Sequence, residues 1–411
     1  MSFRIGRRTP NGDCATPDRL PGGDRATPDR EAWIVPPRLL TAGEGGDRHA
    51  SWLELFFDLV FVVAITELSR ELVLYHSPMG FLRFAALFIP VYVAWQGYMA
   101  YATRFDTDDL VFRVAYFAAM LAIAAMAVLI QDVAAGLHSA EFALAYAALR
   151  SFMLALYWRA WHSAPQARPL IRFYGGGYAV GVAMWLVSLA FPPPGRYVVW
   201  VAAQVLELSL PPLSTRLHRR IPTSATHLPE RWALFTLIVL GESVAAVAVE
   251  TSGQRWRAAS VSAAVLGFAV VACVWWLYFD RQASVSLRGS TMSIVVYSYA
   301  HIPLLLGLAA MSAGVRMLID RASQAHLGAG PSVALLGGAA LFLASLMGTR
   351  IVTTHGQHRR GVVLKLAAVA LILALLAAQP VAAPLALASG LAVVLAGVVV
   401  AERTVIAPPS S

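Results

Sequence analysis

The sequence has few charged residues and almost no cysteine. Charged residues make up 13% of the 411-residue chain, against about 25% in ordinary soluble domains. Its two cysteines are Cys14, in a polar segment, and Cys273, in an apolar run, so we expect neither a disulfide framework nor a metal cluster. This composition excludes an ordinary cytosolic enzyme, a secreted domain and a DNA-binding module.

Phosphate-binding and nucleophile motifs are also missing from the sequence. It contains no P-loop, no G-x-G-x-x-G or G-x-S-x-G string and no paired-cysteine motif. The H-x-x-E spacing that begins at His227 differs from the H-E-x-x-H of zinc proteases. We therefore expect no ATP-driven transport by this chain alone, no cofactor and no resident metal.

Long apolar runs fill the chain from Trp52 onward, and 58% of all residues are hydrophobic. Each run is close to the ~20 residues that a helix needs to cross a ~30 Å hydrocarbon core. The sequence therefore predicts an all-α polytopic membrane protein with about twelve transmembrane helices. The expected spans are residues 52–74, 82–102, 113–131, 140–160, 172–191, 197–213, 231–250, 258–279, 294–318, 332–352, 363–379 and 383–401.

The chain divides into a polar tail and two halves of six spans each. Residues 1–48 are rich in Pro, Gly, Asp and Arg, and we predict that they are disordered. The halves are residues 49–218 and 219–411, and a W-x-x-Y string occurs in the second span of each, at Trp95 and Trp275. An even number of crossings keeps the orientation of a copy, so we predict two parallel repeats, a plan common in transporters.

The basic residues indicate the orientation in the membrane. Lys365 is the only lysine among the 32 basic residues. With the N-terminus inside, inner segments beyond the tail hold sixteen basic residues and outer loops hold five. Inner loops usually carry this excess, so we predict a membrane protein with both termini cytoplasmic. Its partner is then the lipid bilayer and not a nucleic acid, despite the net charge of +9, and a homo-oligomer remains open.

Two acids in the first span share one helix face. Glu54 and Asp58 are four residues apart, which places them about 40° apart around the helix axis. Asp58 lies roughly two turns inside the apolar run. An unpaired carboxylate at that depth costs several kcal/mol, and such residues usually mark ion or proton pathways. The alternative is a structural acid that is neutral or paired with a cation on another helix.

Arg150 is the most unusual charge because it lies near the middle of the fourth span. A central Arg costs ~2.5–3.5 kcal/mol even on the lenient insertion scale, so it is expected to turn inward. Its candidate partners are Asp58, Glu207 and Glu242, and the choice among them is open. A static salt bridge is the alternative to a functional role.

Further polar residues lie in later spans and at span ends. Glu242 is deep in the seventh span, and His301 precedes Pro303 in the ninth, where it either relays protons or is a hydrogen-bonded core histidine. Four acids at cytoplasmic span ends have either surface roles or a role as a cation site at the inner mouth. They are Asp106, Asp108, Asp109 and Asp280.

Several strings resemble a known bacterial family. SWLELFFDLVFVVAITELS from Ser51 resembles the signature of the low temperature requirement protein A (LtrA) family. Agreement continues in the expected order with RFDTDD from Arg104, HLPERWALFTLIVLGES from His227, WWLYFD from Trp275 and YSYAHIPLLLG from Tyr297. The family is named for a growth phenotype and its biochemical activity is poorly defined. The resemblance therefore implies a bacterial inner (plasma) membrane protein without implying a mechanism.

A second resemblance concerns the first span alone. Its string FFDLVFVVAIT is similar to the F-S-D-x-V-x-A-I-x-x-T pattern of a lysosomal and bacterial potassium-channel family. In that family each six-span unit begins with the pore-lining helix, which implies that Asp58 orients the first span and helps to order a pore. Phe57 replaces the Ser of the pattern, and Thr236 stands where a second-repeat Asp is expected. Potassium selectivity is therefore not implied.

We predict that the protein moves a small ion or solute through the bundle, as a channel or a proton-coupled carrier. The residues expected to line or gate the path are Glu54, Asp58, Arg150, Glu242 and His301. One alternative is a membrane enzyme acting on a lipid or isoprenoid carrier through rim residues, namely Asp106, Asp108, Asp109 and Arg231. The other is a non-catalytic membrane scaffold in cold or stress adaptation.

Overall fold

The structure is a computed structural model that describes six stretches of the chain, namely residues 33–40, 50–220, 227–253, 256–280, 291–354 and 359–404. Of the predicted disordered tail, only residues 33–40 lie within this part. They form a short antiparallel pairing in which strand β1 (Arg38–Leu39) lies beside strand β2 (Phe105–Asp106). The remainder of the described chain is almost entirely helical.

Fourteen helices follow one another in the described residues. They are α1 (Trp52–Leu74), α2 (Pro78–Ala102), α3 (Leu110–Ala134), α4 (Ser139–Ser163), α5 (Arg168–Val187), α6 (Gly195–Leu213), α7 (Thr215–Arg220), α8 (His227–Gly253), α9 (Ala258–Phe279), α10 (Thr291–Asp320), α11 (Ala329–Ser332), α12 (Gly338–Thr354), α13 (Arg359–Ala377) and α14 (Pro384–Thr404). The π-helical turn Val333–Gly337 joins α11 and α12 into one long helix. With that helix counted once and α7 set aside as short, twelve long helices remain, which confirms the predicted all-α polytopic fold.

Eleven helices of the described chain are long and apolar enough to cross a membrane. The twelfth long helix, α1, has 23 residues, but five of them are charged. Ser51 caps it, because its side chain accepts a hydrogen bond from the amide of Glu54 at 3.2 Å. Helix α1 packs against α2, α3, α8 and α10. It is therefore surrounded by protein on most sides, which is where a charged helix can lie inside a membrane.

The two sets of six long helices have the same order of neighbours. In the first set α1 packs on α2 and α3. The later contacts are those of α3 with α4, α4 with α5, and α5 with α6. In the second set α8 packs on α9 and α10, which is followed by contacts of α10 with α12, α12 with α13, and α13 with α14. This order agrees with a repeat, and the division into two parallel halves remains a prediction.

The last two helices form a hairpin. Helix α13 ends at Ala377 and α14 begins at Pro384. The connecting turn has backbone hydrogen bonds from the amides of Gln379 and Val381 to the carbonyls of Leu376 and Ala378. Pro380 and Pro384 could mark either a turn between two helices or a kink within one, and the structure has the turn. Pro384 suits the first helical position because the amide that it lacks has no helical partner there.

Close packing of α10 on α12 depends on glycine. A Cβ atom added to Gly338 would lie 2.7 Å from the carbonyl oxygen of Gly307 and 2.8 Å from the amide nitrogen of Met311. One added to Gly314 would lie 2.4 Å from the amide nitrogen of Leu335. Small residues allow helix backbones to approach closely in membranes, where van der Waals contact contributes much of the association energy.

We predict that Gly338→Ala destabilises the bundle although alanine favours helix. Overpacking a tight contact costs about 1–3 kcal/mol, which exceeds the gain of up to about 1 kcal/mol in helix propensity. Gly241→Ala is the matched control, because nothing lies within 4 Å of a Cβ atom there. Thermal unfolding in detergent should show a lower midpoint for Gly338→Ala and an equal or higher one for Gly241→Ala. Equal midpoints for the two variants would contradict this account of the contact.

Candidate functional site

Two acids of α1 and one arginine of α8 meet inside the bundle. The side chain of Asp58 is fully buried, and its Oδ1 accepts hydrogen bonds from Trp95 Nε1 at 2.8 Å and Arg231 Nη2 at 3.0 Å. Arg231 also lies beside Glu54, with 3.3 Å between Nη1 and Oε2. We call Glu54, Asp58, Trp95 and Arg231 the central cluster. It joins α1, α2 and α8.

Some polar atoms of the central cluster are not hydrogen-bonded by the described residues. Oδ2 of Asp58 accepts no such bond, and Nε of Arg231 donates none. Buried polar atoms almost always have a hydrogen-bond partner, either in the protein or in an ordered water. Oδ2 is therefore the Asp58 oxygen with unused acceptor capacity, whereas Oδ1 is bonded to Trp95 and Arg231.

Aromatic side chains extend from the central cluster toward α10. Trp95 stacks on Phe235 with ring centroids 4.1 Å apart. Beside it, Trp232 Nε1 donates to the hydroxyl of Tyr92 at 3.3 Å, and that hydroxyl donates to the carbonyl oxygen of Ser298 at 2.7 Å. This arrangement gives the interior next to Asp58 a lining of aromatic rings and hydroxyl groups.

His301 lies beyond this aromatic layer and is fully buried. Its Nδ1 lies 2.8 Å from the carbonyl oxygen of Tyr297, and its Nε2 lies 3.1 Å from the hydroxyl of Tyr278. A carbonyl only accepts, so Nδ1 carries the proton and Nε2 accepts from Tyr278, as a neutral imidazole requires. The centroid of the Trp232 ring lies 5.7 Å from that of the His301 ring. Trp232 thus connects His301 to the central cluster, and His301 does not itself contact Asp58.

Arg150 lies in a second, separate cluster, where its partner is Glu207. Its Nη2 donates to a carboxylate oxygen of Glu207, and its Nε donates to the hydroxyl of Tyr146 at 3.1 Å. That hydroxyl donates to the same Glu207 oxygen at 2.7 Å. Of the three acids considered from sequence, the structure selects Glu207 rather than Asp58 or Glu242.

Helix α2 separates the two clusters. Trp95 contacts Asp58, whereas a Cβ atom at Gly97 would lie 2.7 Å from Nη1 of Arg150. Residues two apart on a helix point in directions that differ by about 200°. The central cluster and the Arg150–Glu207 pair therefore lie on opposite sides of α2.

Glu242 forms a third ionic contact, with Arg316 of α10. Glu242 Oε1 and Arg316 Nη2 are 2.6 Å apart, and both side chains are largely buried. Glu242 is eleven residues beyond Arg231 on α8, or about 16 Å along the axis. We define an apolar layer as the buried apolar residues at intermediate positions of α8 and α10, such as Val239 and Leu305. The five predicted path residues thus occupy several places, and only Glu54 and Asp58 share one cluster.

Two of the predicted inner-mouth acids bind cations or amides at the start of α3. Asp109 caps α3, accepting from the amide of Phe112 at 3.0 Å, and also accepts from the amide of Val35 at 2.9 Å and Arg159 Nη1 at 2.8 Å. Desolvation raises the pKa of Asp109, but the hydrogen bonds from Arg159 and the two amides outweigh it, so the pKa is lowered. Its neighbour Asp108 is exposed and pairs with Arg113 at 2.8 Å.

The other two predicted mouth acids lie elsewhere. Asp280 pairs with Arg403 at 2.9 Å, and Asp106 is an exposed residue of β2. Within the described residues, no three His, Cys, Asp or Glu side chains come together as a metal site. These acids do not converge on one centre there.

Sequence reasoning missed several interior charges, among them two on the helices of the central cluster, Arg231 and Glu71. It placed Arg231 at the edge of a span, whereas α8 begins at His227 and puts Arg231 one turn inside. Glu71, near the end of α1, is fully buried, and its carboxylate accepts no hydrogen bond from the described residues. Glu71 is thirteen residues beyond Asp58, which places the two side chains about 220° apart around the axis of α1. The high number of acids in this one span was the sequence feature that could have indicated a buried Glu71.

Comparison with known proteins identifies a matching family and a relative of similar sequence. A family model described as bacterial low temperature requirement A protein (LtrA) matches residues 49–400. A similar sequence is "Uncharacterized protein RA0937" of Rhizobium meliloti (strain 1021), with 28% identity over 331 residues. The aligned region covers 74% of this chain and 78% of that relative.

We predict that Arg150→Gln strongly destabilises the protein, by about 3–5 kcal/mol, because it leaves a buried carboxylate without its cation. The double variant Arg150→Met with Glu207→Leu should recover most of that loss, because it removes both charges. Thermal unfolding of the purified variants measures both effects. A double variant no more stable than Arg150→Gln would contradict the pairing.

The lowered pKa of Asp109 predicts a pH-dependent contribution to stability. Its charged form is favoured in the folded protein, so the contribution is complete above the ordinary value of 3.8 and is lost as the pH falls through the lower folded value. At neutral pH, Asp109→Asn should lower stability by about 1–3 kcal/mol, typical of hydrogen bonds to charged groups. The difference should shrink in acid. Asp108→Asn, at an exposed pair, should change stability by less than about 1 kcal/mol, and an equal effect of both variants would argue against the assignment.

Proposed function

Because the chain belongs to the family of bacterial low temperature requirement A proteins (LtrA), we propose for this multi-pass membrane protein that it moves a small ion or solute, with Asp58 as the residue that binds a proton or cation on the way. We place it in the bacterial inner membrane with both termini cytoplasmic, following the excess of basic residues on that side. A role in growth at low temperature rests on the family description alone.

The observation that carries the proposal is the environment of Asp58. The carboxylate is fully buried, and one oxygen is shared between Trp95 and Arg231 while the other accepts no hydrogen bond from the described residues. Ionisable residues inside membrane proteins usually face a bundle interior and mark ion or proton pathways. Binding at the second oxygen neutralises the charge that Arg231 faces at 3.0 Å.

Neutralisation of Asp58 would couple the binding of a proton or cation to the packing of α1 against α8. Asp58 belongs to α1, the first helix of one predicted half, and Arg231 belongs to α8, the first helix of the other. A protonated or cation-bound Asp58 attracts Arg231 less strongly than the free carboxylate does. Occupancy of Asp58 therefore changes the attraction between α1 and α8, as expected for a carrier in which two halves move against each other.

The proposed path begins at the inner end of α1. Glu54 lies about one turn closer to the start of α1 than Asp58. Beyond Asp58 come Trp232 and the buried His301. The Glu242–Arg316 pair lies farther along α8, on the other side of the apolar layer. Arg150 is not included in this path, since it lies across α2.

The alternative of a membrane enzyme acting on lipid has less support from the geometry. Its rim acids Asp108 and Asp109 are paired with Arg113 and Arg159, whereas Arg231 lies in the central cluster. The residues that this enzyme would need are therefore not assembled at one place in the described structure. A scaffold without transport remains the outcome to test against.

Ion flux in liposomes tests the proposal. Wild-type protein should conduct protons or potassium under an imposed gradient, and Asp58→Asn should reduce that flux about tenfold or more, because Asn cannot bind a proton or replace the carboxylate charge. Asn retains an oxygen that accepts from Trp95, and Arg231 keeps Glu54 as a countercharge, so the fold should persist. Glu67→Gln is the matched control, because Glu67 is an acid of the same helix that is bonded to Arg70 and Gln131 at its partly exposed end.

Equal flux in wild type and Asp58→Asn would remove Asp58 from the path. No flux from well-folded wild type with either ion would favour the scaffold or the lipid enzyme over the transporter.

A further inference from the structure

A buried arginine that has no carboxylate partner among the described residues lies near the inner ends of the helices. Arg104, just after α2, is 8% exposed. Its Nη2 contacts His218 Nδ1 at 2.6 Å, its guanidinium lies 5.9 Å from the centre of the Tyr174 ring, and its Nε donates to no described residue. A buried cation usually has an anion beside it, because desolvation of an unpaired charge is costly.

The groups that Arg104 does contact cannot supply a negative charge. Ser214 donates to the carbonyl of Pro211 at 2.9 Å, so Tyr174 donates to Ser214 at 2.8 Å. The Tyr174 hydroxyl then accepts from His218 Nε2 at 2.9 Å, which leaves Nδ1 of His218 as the acceptor for Arg104. His218 is therefore a neutral imidazole, and the hydrogen-bond chain beyond Arg104 carries no anion.

The helix that carries His218 adds more positive charge. Arg216 and Arg219 flank His218 on α7 and are exposed. Neither forms an ion pair with a described acid. The sequence from residue 159 to 220 contains seven arginines and a single acid, Glu207, which is bonded to Arg150. Of these seven, Arg159 is bonded to Asp109, and Arg196 lies at the start of α6, at the opposite end of the bundle. The excess near Arg104 is therefore carried by the others.

The position of these arginines suits a lipid headgroup. Helices α2, α4 and α6 end, and α5 begins, at this end of the bundle. Trp158, near the end of α4, is 70% exposed, and the guanidinium of Arg168 lies 5.5 Å from the centre of the Trp161 ring. Exposed tryptophans mark the level of the lipid headgroups, and basic pockets between helices on the cytoplasmic side bind anionic lipids.

We propose that Arg104, Arg216 and Arg219 form a binding site for the phosphate group of an anionic membrane lipid. The phosphate would lie against the exposed arginines of α7, which flank the His218 that Arg104 contacts, and would offset a buried charge that the described chain leaves without an anion. The acyl chains would follow the apolar surface of the helices. This site is independent of Asp58 and of the proposed transport.

Thermal unfolding of the full-length protein in a neutral detergent tests the site, because a ligand that binds the folded state raises the unfolding midpoint. Phosphatidylglycerol should raise the midpoint, and phosphatidylcholine should raise it less. Arg216→Gln with Arg219→Gln, both at exposed positions that leave the fold intact, should weaken the apparent affinity for phosphatidylglycerol about tenfold or more. If the Arg104→Gln variant folds, it should weaken the apparent affinity for phosphatidylglycerol to a similar extent. Arg113→Gln is the matched control, an exposed arginine near the same helix ends that pairs with Asp108, and it should leave the affinity unchanged.

A comparison with inorganic phosphate distinguishes the two sources of the phosphate group, a membrane lipid and a free anion. Weak or no stabilisation by phosphate, together with stabilisation by phosphatidylglycerol, supports a lipid site. Equal stabilisation by inorganic phosphate would overturn the lipid assignment in favour of a free anion. Stabilisation by phosphatidylglycerol that is equal in the wild type and the Arg216 and Arg219 double variant would overturn the site itself.

Discussion

The contact between Asp58 and Arg231 constrains much of this structure. An ionised side chain in a membrane is tolerated when it faces the bundle interior and has a partner there. Helix α1 carries five charged residues, more than a lipid-facing helix can hold. Its contacts with α2, α3, α8 and α10 are therefore a requirement of its composition. Arg231 supplies the countercharge from α8, so the two helices must lie side by side.

Hydrophobicity and length were sufficient to predict twelve helices, because crossing a bilayer restricts both quantities. Hydrophobicity and length did not predict the local structure where one residue is compatible with two conformations. Pro384 fits a kinked helix as well as the first position of a new one, and only the packing of α13 on α14 decides for the latter. Arg231 posed the same difficulty, because an arginine near a helix start suits the membrane interface until the true start at His227 is known.

The partners of buried charges could not be predicted from one sequence. Arg150 had three acids available, and the choice depends on which face of α2 each cluster occupies. Gly97 and Gly181 explain the outcome afterwards, since Cβ atoms there would lie 2.7 Å from Arg150 Nη1 and 2.8 Å from Glu207 Oε1. A glycine gives no indication in sequence of the side chain that it accommodates. Such pairings are determined by tertiary packing and not by the pattern along one helix.

The ion pairs named above differ in what they connect. Arg150 with Glu207 and Glu242 with Arg316 each join helices within one predicted half. Arg231 with Glu54 and Asp58 joins the two halves. Neutralising a partner in the former pairs loosens one half internally, whereas neutralising Asp58 weakens the attraction between halves. A change in the charge of Asp58 is therefore the one most directly able to alter how the halves pack, which is the movement that alternating access requires.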